Sequence, residues 1–273
     1  METPGGAVFD LRGIAGVALI CATCASPSSP GSLRSILLNG NQPRSEDDTR
    51  LLCAARARAS VIVNSLHTVT SEGGAAPDFS LAGPAVSASL SAWRRALGLR
   101  ERGVHVLLTR GGREVDAALP VFAPGARFSA VLGVPRAPTP APPVRWAGGA
   151  APGAPALPLT SEDAPLRAAL GGVCAAVRGG GAPWGGGAAA APAAAEPLVL
   201  VEAGASLTSP LLLAKGADDC PLDWLLLTEY SGAIEPSCVG AVLAERAAVE
   251  RLFVREASAQ RGAWAFSLLR RRR

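Results

Sequence analysis

A break in texture constrains this chain more than any single motif. Up to about residue 135 short apolar runs alternate with polar turns, from 136 to 195 proline, alanine and glycine take over, and from 196 to 273 the alternating texture returns. The middle stretch has too few large apolar side chains to offset the entropy of ordering it, so it reads as a linker or surface excursion between two compact parts. Within it, Thr160-Ser161-Glu162-Asp163 ahead of Pro165 is a helix start, with a short helix expected over Leu166 to Val177. The glycine and alanine run from Gly179 to Ala195 is expected to lack structure.

The flanking parts read chiefly as strands. Val8 to Ile20, Ser60 to Asn64, Val104 to Thr109, Arg127 to Val134, Leu198 to Glu202, Trp224 to Thr228, Ala241 to Ala244 and Ala263 to Leu269 are short apolar runs, most with Gly, Pro, Asn or Asp nearby. Helical spacing interrupts them over Val86 to Leu97 and over Thr49 to Ala59, where Leu51, Leu52 and Ala55 share a face. Many short strands separated by turn signals predict a mainly β protein of two barrel-like or jelly-roll-like domains, residues 1–135 and 196–273, with a few short helices. A faint repeat agrees with duplication: His105-Val106-Leu107-Leu108 leads to a Phe122-centred step and the strand ending at Leu132, as Ala241-Val242-Leu243-Ala244 leads through Phe253 to the strand ending at Leu269.

Charge and cysteine usage exclude several function classes. Of the 26 basic residues only Lys215 is a lysine, a bias that points to a GC-rich genome, that of a large DNA virus or a high-GC bacterium. The net charge of +4 equals the terminal run Arg270 to Arg273, which leaves the body near neutrality and argues against a nucleic-acid groove. That run reads as a solvated end or as a nuclear-targeting or acidic-partner patch. No stretch reaches the roughly 18 apolar residues of a membrane span. Gly13 to Ala25 has the apolarity of a signal-peptide core, but Glu2 and Asp10 precede it with only Arg12 for a base, so the expectation is an intracellular protein. Six scattered cysteines fit a reduced compartment, and Cys21-x-x-Cys24, without a second pair or a companion for His67 or His105, reads as two small thiols in a strand. No phosphate-binding loop, Gly-x-Ser-x-Gly elbow or His-Glu-x-x-His motif is present.

One loop carries chemistry: Gly232-Ala233-Ile234-Glu235-Pro236-Ser237-Cys238-Val239-Gly240, a carboxylate on a turn between two apolar runs. It resembles the Gly-Val-Ile-Asp-x-x-Tyr-Arg-Gly loop that receives the nucleotide in trimeric and herpesviral dUTPases. Pro124-Gly125-Ala126-Arg127-Phe128 and the apolar strand after it resemble the closing turn and strand of the same family. The resemblance implies two dUTPase-like β domains and a relic substrate loop formed by Gly232, Ile234, Cys238 and Gly240. It also places Glu235 where the catalytic aspartate belongs. Cys238 and Val239 stand where the family has tyrosine and arginine, and neither the metal-side aspartate motif nor the phosphate-binding Arg-Ser turn is found.

The resemblance therefore implies an inactive herpesvirus dUTPase-related protein, in the host cytoplasm or nucleus or in the virion tegument, which has no cofactor and acts by binding host or viral proteins. Two alternatives stay open. One is a divergent dUTPase with Glu235 as general base and Mg2+ on the triphosphate; the other is a structural virion component.

Overall fold

The structure, a computed structural model, describes residues 3–26, 29–37, 39–71, 73–74, 78–110, 114–122, 128–134, 145–147, 157–158, 170, 173, 195–214, 216 and 220–273. Two runs decide its architecture. Val61–Ser65 is buried at every position and Leu198–Glu202 at all but the last, so neither alternates between a wet and a dry face. Strands covered on both faces belong to parallel sheets clothed by helices.

In chain order the elements are β1 (Gly16–Ser26), β2 (Ser29–Ile36), α1 (Glu46–Arg58), β3 (Val61–Ser65), α2 (Leu66–Ser71), α3 (Pro84–Ala96), β4 (Val104–Arg110), β5 (Glu114–Asp116), β6 (Phe128–Val134), β7 (Arg145–Ala147), β8 (Leu157–Pro158), β9 (Leu198–Glu202), α4 (Ala205–Leu212), β10 (Trp224–Tyr230), β11 (Val239–Glu245), α5 (Arg246–Leu252), β12 (Phe253–Arg261) and β13 (Trp264–Arg271). The main sheet runs β12-β13-β10-β1-β9-β3-β4-β6-β8, with β2 on the far end of β1 and β11 beyond β2. From β10 to β8 every neighbouring pair is parallel; β10/β13, β13/β12, β1/β2 and β2/β11 are antiparallel. The short strands β5 and β7 pair separately.

Alternate side chains of the central strands feed two cores. On one face Val17, Leu19, Val63, Val199, Val201, Leu225 and Leu227 meet Leu207 and Leu211 of α4 and Val249 and Leu252 of α5. On the other, Ala18, Ile20, Ile62, Leu198, Leu200 and Leu226 meet Leu51, Ala54 and Ala55 of α1 and Leu90 of α3. α1 begins at Ser45, whose Oγ accepts the Asp48 N–H at 3.1 Å, and carries Glu46, Asp47 and Asp48 in its positive first turn. Its far end is sealed by the buried Arg94, which donates to the carbonyls of Ala57 (2.7 Å) and Ala59 (2.6 Å).

This architecture corrects the expected mainly β fold. The chain is α/β, a mixed and largely parallel sheet between helices, and not a pair of dUTPase-like barrels or jelly rolls. Most expected strands exist; what periodicity could not convey is their direction and partners, because a short apolar run looks alike in a barrel and in a buried parallel strand. The helices α4 and α5 went unread, the first because Pro210 interrupts it and the second because it is only seven residues long. The run from Val8 is strand only from Gly16 onward; Ala7, Phe9, Leu11 and Ile14 instead form a buried strap against α3. The two repeats are not copies, since β4 pairs with β6 in parallel whereas β11 pairs with β2 and β13 with β10 and β12, all antiparallel. The helix expected over Leu166 to Val177 and the unstructured run to Ala195 lie outside the described residues, apart from buried Leu170 and Val173 and the end residue Ala195.

Candidate functional site

Where neighbouring parallel strands send their connections to opposite faces of a sheet, a crevice opens at their carboxyl ends. β1 and β9 are such a pair. β1 leads through β2 and α1 over one face to β3, whereas β9 leads through α4 over the other face to β10. Their pairing stops at Leu19↔Val201, yet β1 continues alongside β10 as far as Cys24↔Tyr230. Three residues beyond the last pair on both strands stand Ala22 and Gly204, and Ala22 is paired on its other side with Thr228. A row of small or short side chains thus crosses the crevice floor.

Gly204 caps α4 without a side chain. It is exposed, its φ of −65° suits any residue, and no side chain caps the helix. The carbonyl of Gly204 accepts from the Leu207 and Thr208 amides, which leaves the amides of Ala205 and Ser206 at the start of the helix, where the positive end of its dipole lies. Across from it, α2 starts directly from β3: Ser65 Oγ accepts the Thr68 N–H at 2.9 Å and shares a proton with Thr68 Oγ1 at 2.6 Å. An added Cβ on Gly204 would lie 4.0 Å from that Thr68 oxygen, so the two helix starts stand side by side at the crevice. This donor set suits an anion such as a dinucleotide phosphate.

Behind the cleft lies a polar anchor. Glu202 receives a two-pronged bond from Arg56, Nε to Oε1 and Nη2 to Oε2, both at 2.8 Å, with side-chain exposures of 10% and 7%. Arg56 also donates to the Asp78 carbonyl at 2.8 Å. With its amide turned so that the nitrogen faces the two carbonyls, Asn64 donates to Val63 and, at 2.5 Å, to Glu202, which ties the end of β3 to the end of β9.

On the α1 side, Asp48 is half-buried. Burial pushes its carboxyl up, partly offset by the nearby Thr228 hydroxyl. Cys21 sits half-buried with its sulfur against the apolar layer, where burial first, then the charges of Glu229 and Asp48, push the thiol up to about 12; it is no nucleophile at neutral pH. Farther down, His105 of β4 is buried with Nδ1 unpartnered. Burial, reinforced by Arg56 and other arginines, holds the ring near a pKa of about 4, hence neutral.

The residues singled out by the resemblance lie elsewhere, in the loop between β10 and β11. Glu235 is exposed and accepts from Asn41 (3.2 Å) and Ser237 (3.4 Å). Cys238 is buried, its thiol donating to Asn39 Oδ1 at 3.1 Å. Gly232 and Gly240 are tight packing points, since an added Cβ would fall 2.4 Å from the Tyr230 hydroxyl oxygen or 2.2 Å from Ser35 Oγ, and Ile234 is half-buried. The loop does come together as a unit, braced against residues 35–41, and none of these residues belongs to the row at the crevice floor. Asp48, Glu202, Gly204 and Thr228 were missed. Ser45-x-x-Asp48 has capping-box spacing, and Leu198 to Glu202 followed by Ala203-Gly204 is a buried strand ending at a glycine-capped helix; both signals were available.

No family model matches this chain, and no curated protein matches it. Among solved structures it is similar to a pyrimidine reductase-like protein from Corynebacterium diphtheriae, with a TM-score of 0.61 and 17% identity over 99% of both chains. It is also similar to RibD from Acinetobacter baumannii, in two crystal forms: TM-scores are 0.51 and 0.53 at 14% identity, over 97% and 96% of this chain but only 60% and 59% of RibD. These likenesses fix the fold and overturn the dUTPase resemblance. With it go the inactive herpesvirus dUTPase relative, the Glu235-dependent dUTP diphosphatase, the virion component and the cofactor expectation of none, or Mg2+ if active. The chain has the fold of a pyrimidine reductase-like protein along nearly its whole length.

Proposed function

We propose that this chain is an oxidoreductase that uses a reduced nicotinamide dinucleotide to reduce a pyrimidine-type ring or its substituent. The observation that carries the reading is the crevice at the carboxyl ends of β1 and β9, walled by two helix starts, in a chain whose fold matches a pyrimidine reductase-like protein end to end. The dinucleotide, when bound, supplies a hydride. What the chain supplies is placement. First-turn amides of α4 hold phosphate oxygens, and Gly204 leaves them uncovered. Ser65 and Thr68 offer hydroxyls on the opposite wall. Ala22 and Gly204 keep the floor free of bulk, so that flat rings approach the backbone closely. The Arg56–Glu202–Asn64 anchor fixes the ends of β9 and β3, and with them both walls.

Calorimetric titration of the full chain with NADPH and with NADH tests the reading. One-site, saturable binding of at least one of them in the micromolar range is expected; absence of saturation by either at millimolar concentration contradicts it.

A further inference from the structure

The chain has three asparagines, Asn39, Asn41 and Asn64, and the fold treats them differently. Asn64 is buried in β3, and Asn41 is followed by glutamine. Asn39 is exposed in the connection from β2 to α1 and is followed by Gly40, also exposed, with a φ of 94° and open space where a Cβ would stand. The backbone nitrogen after an asparagine can close a five-membered ring on the side-chain carbonyl carbon, and a glycine there puts no side chain in its way. Around Asn39 each atom that such a closure changes already has a fitting partner. Oδ1, which takes up negative charge when nitrogen adds to Cγ, accepts from the Asn41 N–H and from the Cys238 thiol, both at 3.1 Å. Nδ2, the group that leaves, donates to the Ser237 carbonyl at 3.0 Å. The Gly40 N–H, on the attacking nitrogen, donates to Gln42 Oε1 at 2.7 Å. The bond from Asn41 N–H to Oδ1 closes an Asx turn, which folds the side chain back over the Gly40 peptide. Cys238 is fully buried, so its donor is held in place.

We propose that Asn39 is a self-modifying site, at which the folded chain converts its own amide to a succinimide and then to an aspartyl or isoaspartyl residue. The Gly40 nitrogen loses its proton and bonds to Asn39 Cγ; the Cγ–Nδ2 bond breaks and ammonia leaves. Water then opens the ring. Addition at Cγ gives aspartate, and addition at the backbone carbonyl gives an isoaspartyl link with one more methylene in the main chain. The product loosens the loop that makes it. A carboxylate at position 39 has no donor for the Ser237 carbonyl, and it adds negative charge to a loop where Asn41 already holds Glu235 at 3.2 Å. With time the connection from β2 to α1 is thus released from the loop between β10 and β11. This chemistry needs nothing from the reductase reading.

The full chain is aged at physiological temperature, at neutral and at mildly alkaline pH, both folded in buffer and unfolded in guanidinium chloride. Its peptides are then weighed by mass spectrometry, and isoaspartate is identified by labelling with an isoaspartyl methyltransferase. Loss of ammonia followed by a mixture of aspartate and isoaspartate is expected at Asn39, with Asn41 and Asn64 unchanged. The rate is expected to rise with pH, because the attacking nitrogen must lose its proton, and to be at least as high in the folded chain as in the unfolded one. Cys238→Ala, which removes one donor from Oδ1, is expected to slow the reaction several-fold in the folded chain only, and Cys238→Ser, which returns a donor, to restore it. Gly40→Ala sets a methyl beside the attacking nitrogen and is expected to slow it at least about tenfold. Asn39→Asp, a stand-in for the aged chain, is expected to melt about 2–4 °C lower than the wild type. Slower conversion at Asn39 in the folded than in the unfolded chain overturns the proposal. So does aspartate without isoaspartate, which means direct hydrolysis, or an unchanged rate in a Cys238→Ala chain with unchanged circular dichroism.

Discussion

Replacing Gly204 by aspartate separates the fold of this site from its function. The backbone at Gly204 (φ −65°, ψ 169°) accepts any residue, and the nearest atom to an added Cβ is Thr68 Oγ1 at 4.0 Å, an ordinary contact. Aspartate is a better N-cap than glycine by a few tenths of a kcal/mol. Its charge at the positive end of α4 adds about 0.3–1 kcal/mol. The variant is therefore expected to melt about 1–3 °C higher than the wild type. The same carboxylate occupies the first-turn amides that the account assigns to phosphate and repels the phosphate itself. Losing two charge-assisted hydrogen bonds at roughly 1.5 kcal/mol each weakens dinucleotide binding about 100-fold or more. Calorimetry measures the affinity and thermal unfolding the stability. Gly204→Ala serves as the control, because it leaves the amides uncovered: it lowers stability by up to about 1 kcal/mol and keeps affinity within about threefold. An unchanged Kd in Gly204→Asp, with the expected gain in Tm, would refute the assignment of the α4 N-terminus to phosphate.

Other consequences follow from the same geometry. Arg56→Met strands the Glu202 carboxylate in the interior and is expected to cost about 3–5 kcal/mol in urea unfolding; a loss below about 1 kcal/mol would show that the pair is solvated. His105 has a folded-state pKa of about 4 against about 6.5 in the unfolded chain, so the unfolded chain binds more protons between these values. Its contribution is then fully present above about pH 6.5 and falls by about 3 kcal/mol by pH 4, while His105→Gln flattens that part of the stability profile. Gly240→Ala drives a methyl to within 2.2 Å of Ser35 Oγ and 3.0 Å of the Ser35 carbonyl. It is expected to cost about 1–3 kcal/mol in thermal unfolding without altering dinucleotide affinity, as a packing glycine and not a ligand-binding one.

Much of the local structure was legible in the residues. Leu198 to Glu202 is a strand with the expected ends, Val104 extends one residue beyond its expected run, and the helices expected over Thr49 to Ala59 and Val86 to Leu97 form within a few residues of those spans. The parallel order was also encoded, in the unbroken burial of Val61 to Ser65 and of Leu198 to Val201, yet an apolar run does not name its neighbour. β1 takes β9 and β10 as partners across separations of about two-thirds and three-quarters of the chain, pairings that no local spacing specifies. The site suffers most from this. Asp48, Thr228, Ala22 and Gly204 are ordinary in sequence, and they acquire meaning only when the strand register sets three of them in one row beneath the start of α1. Glu235 stood out because glycines frame its loop, but those glycines serve close packing against Tyr230 and Ser35.

The most direct test of the central claim is isotope transfer. The full chain is incubated with 4R- and 4S-deuterated NADPH, and with the NADH equivalents, in the presence of a panel of pyrimidines, and the products are weighed by mass spectrometry. The account expects deuterium in a pyrimidine product from one face of the nicotinamide only, abolished in Gly204→Asp. Product that carries no deuterium from either face, or no product from a chain with saturated dinucleotide, would contradict it.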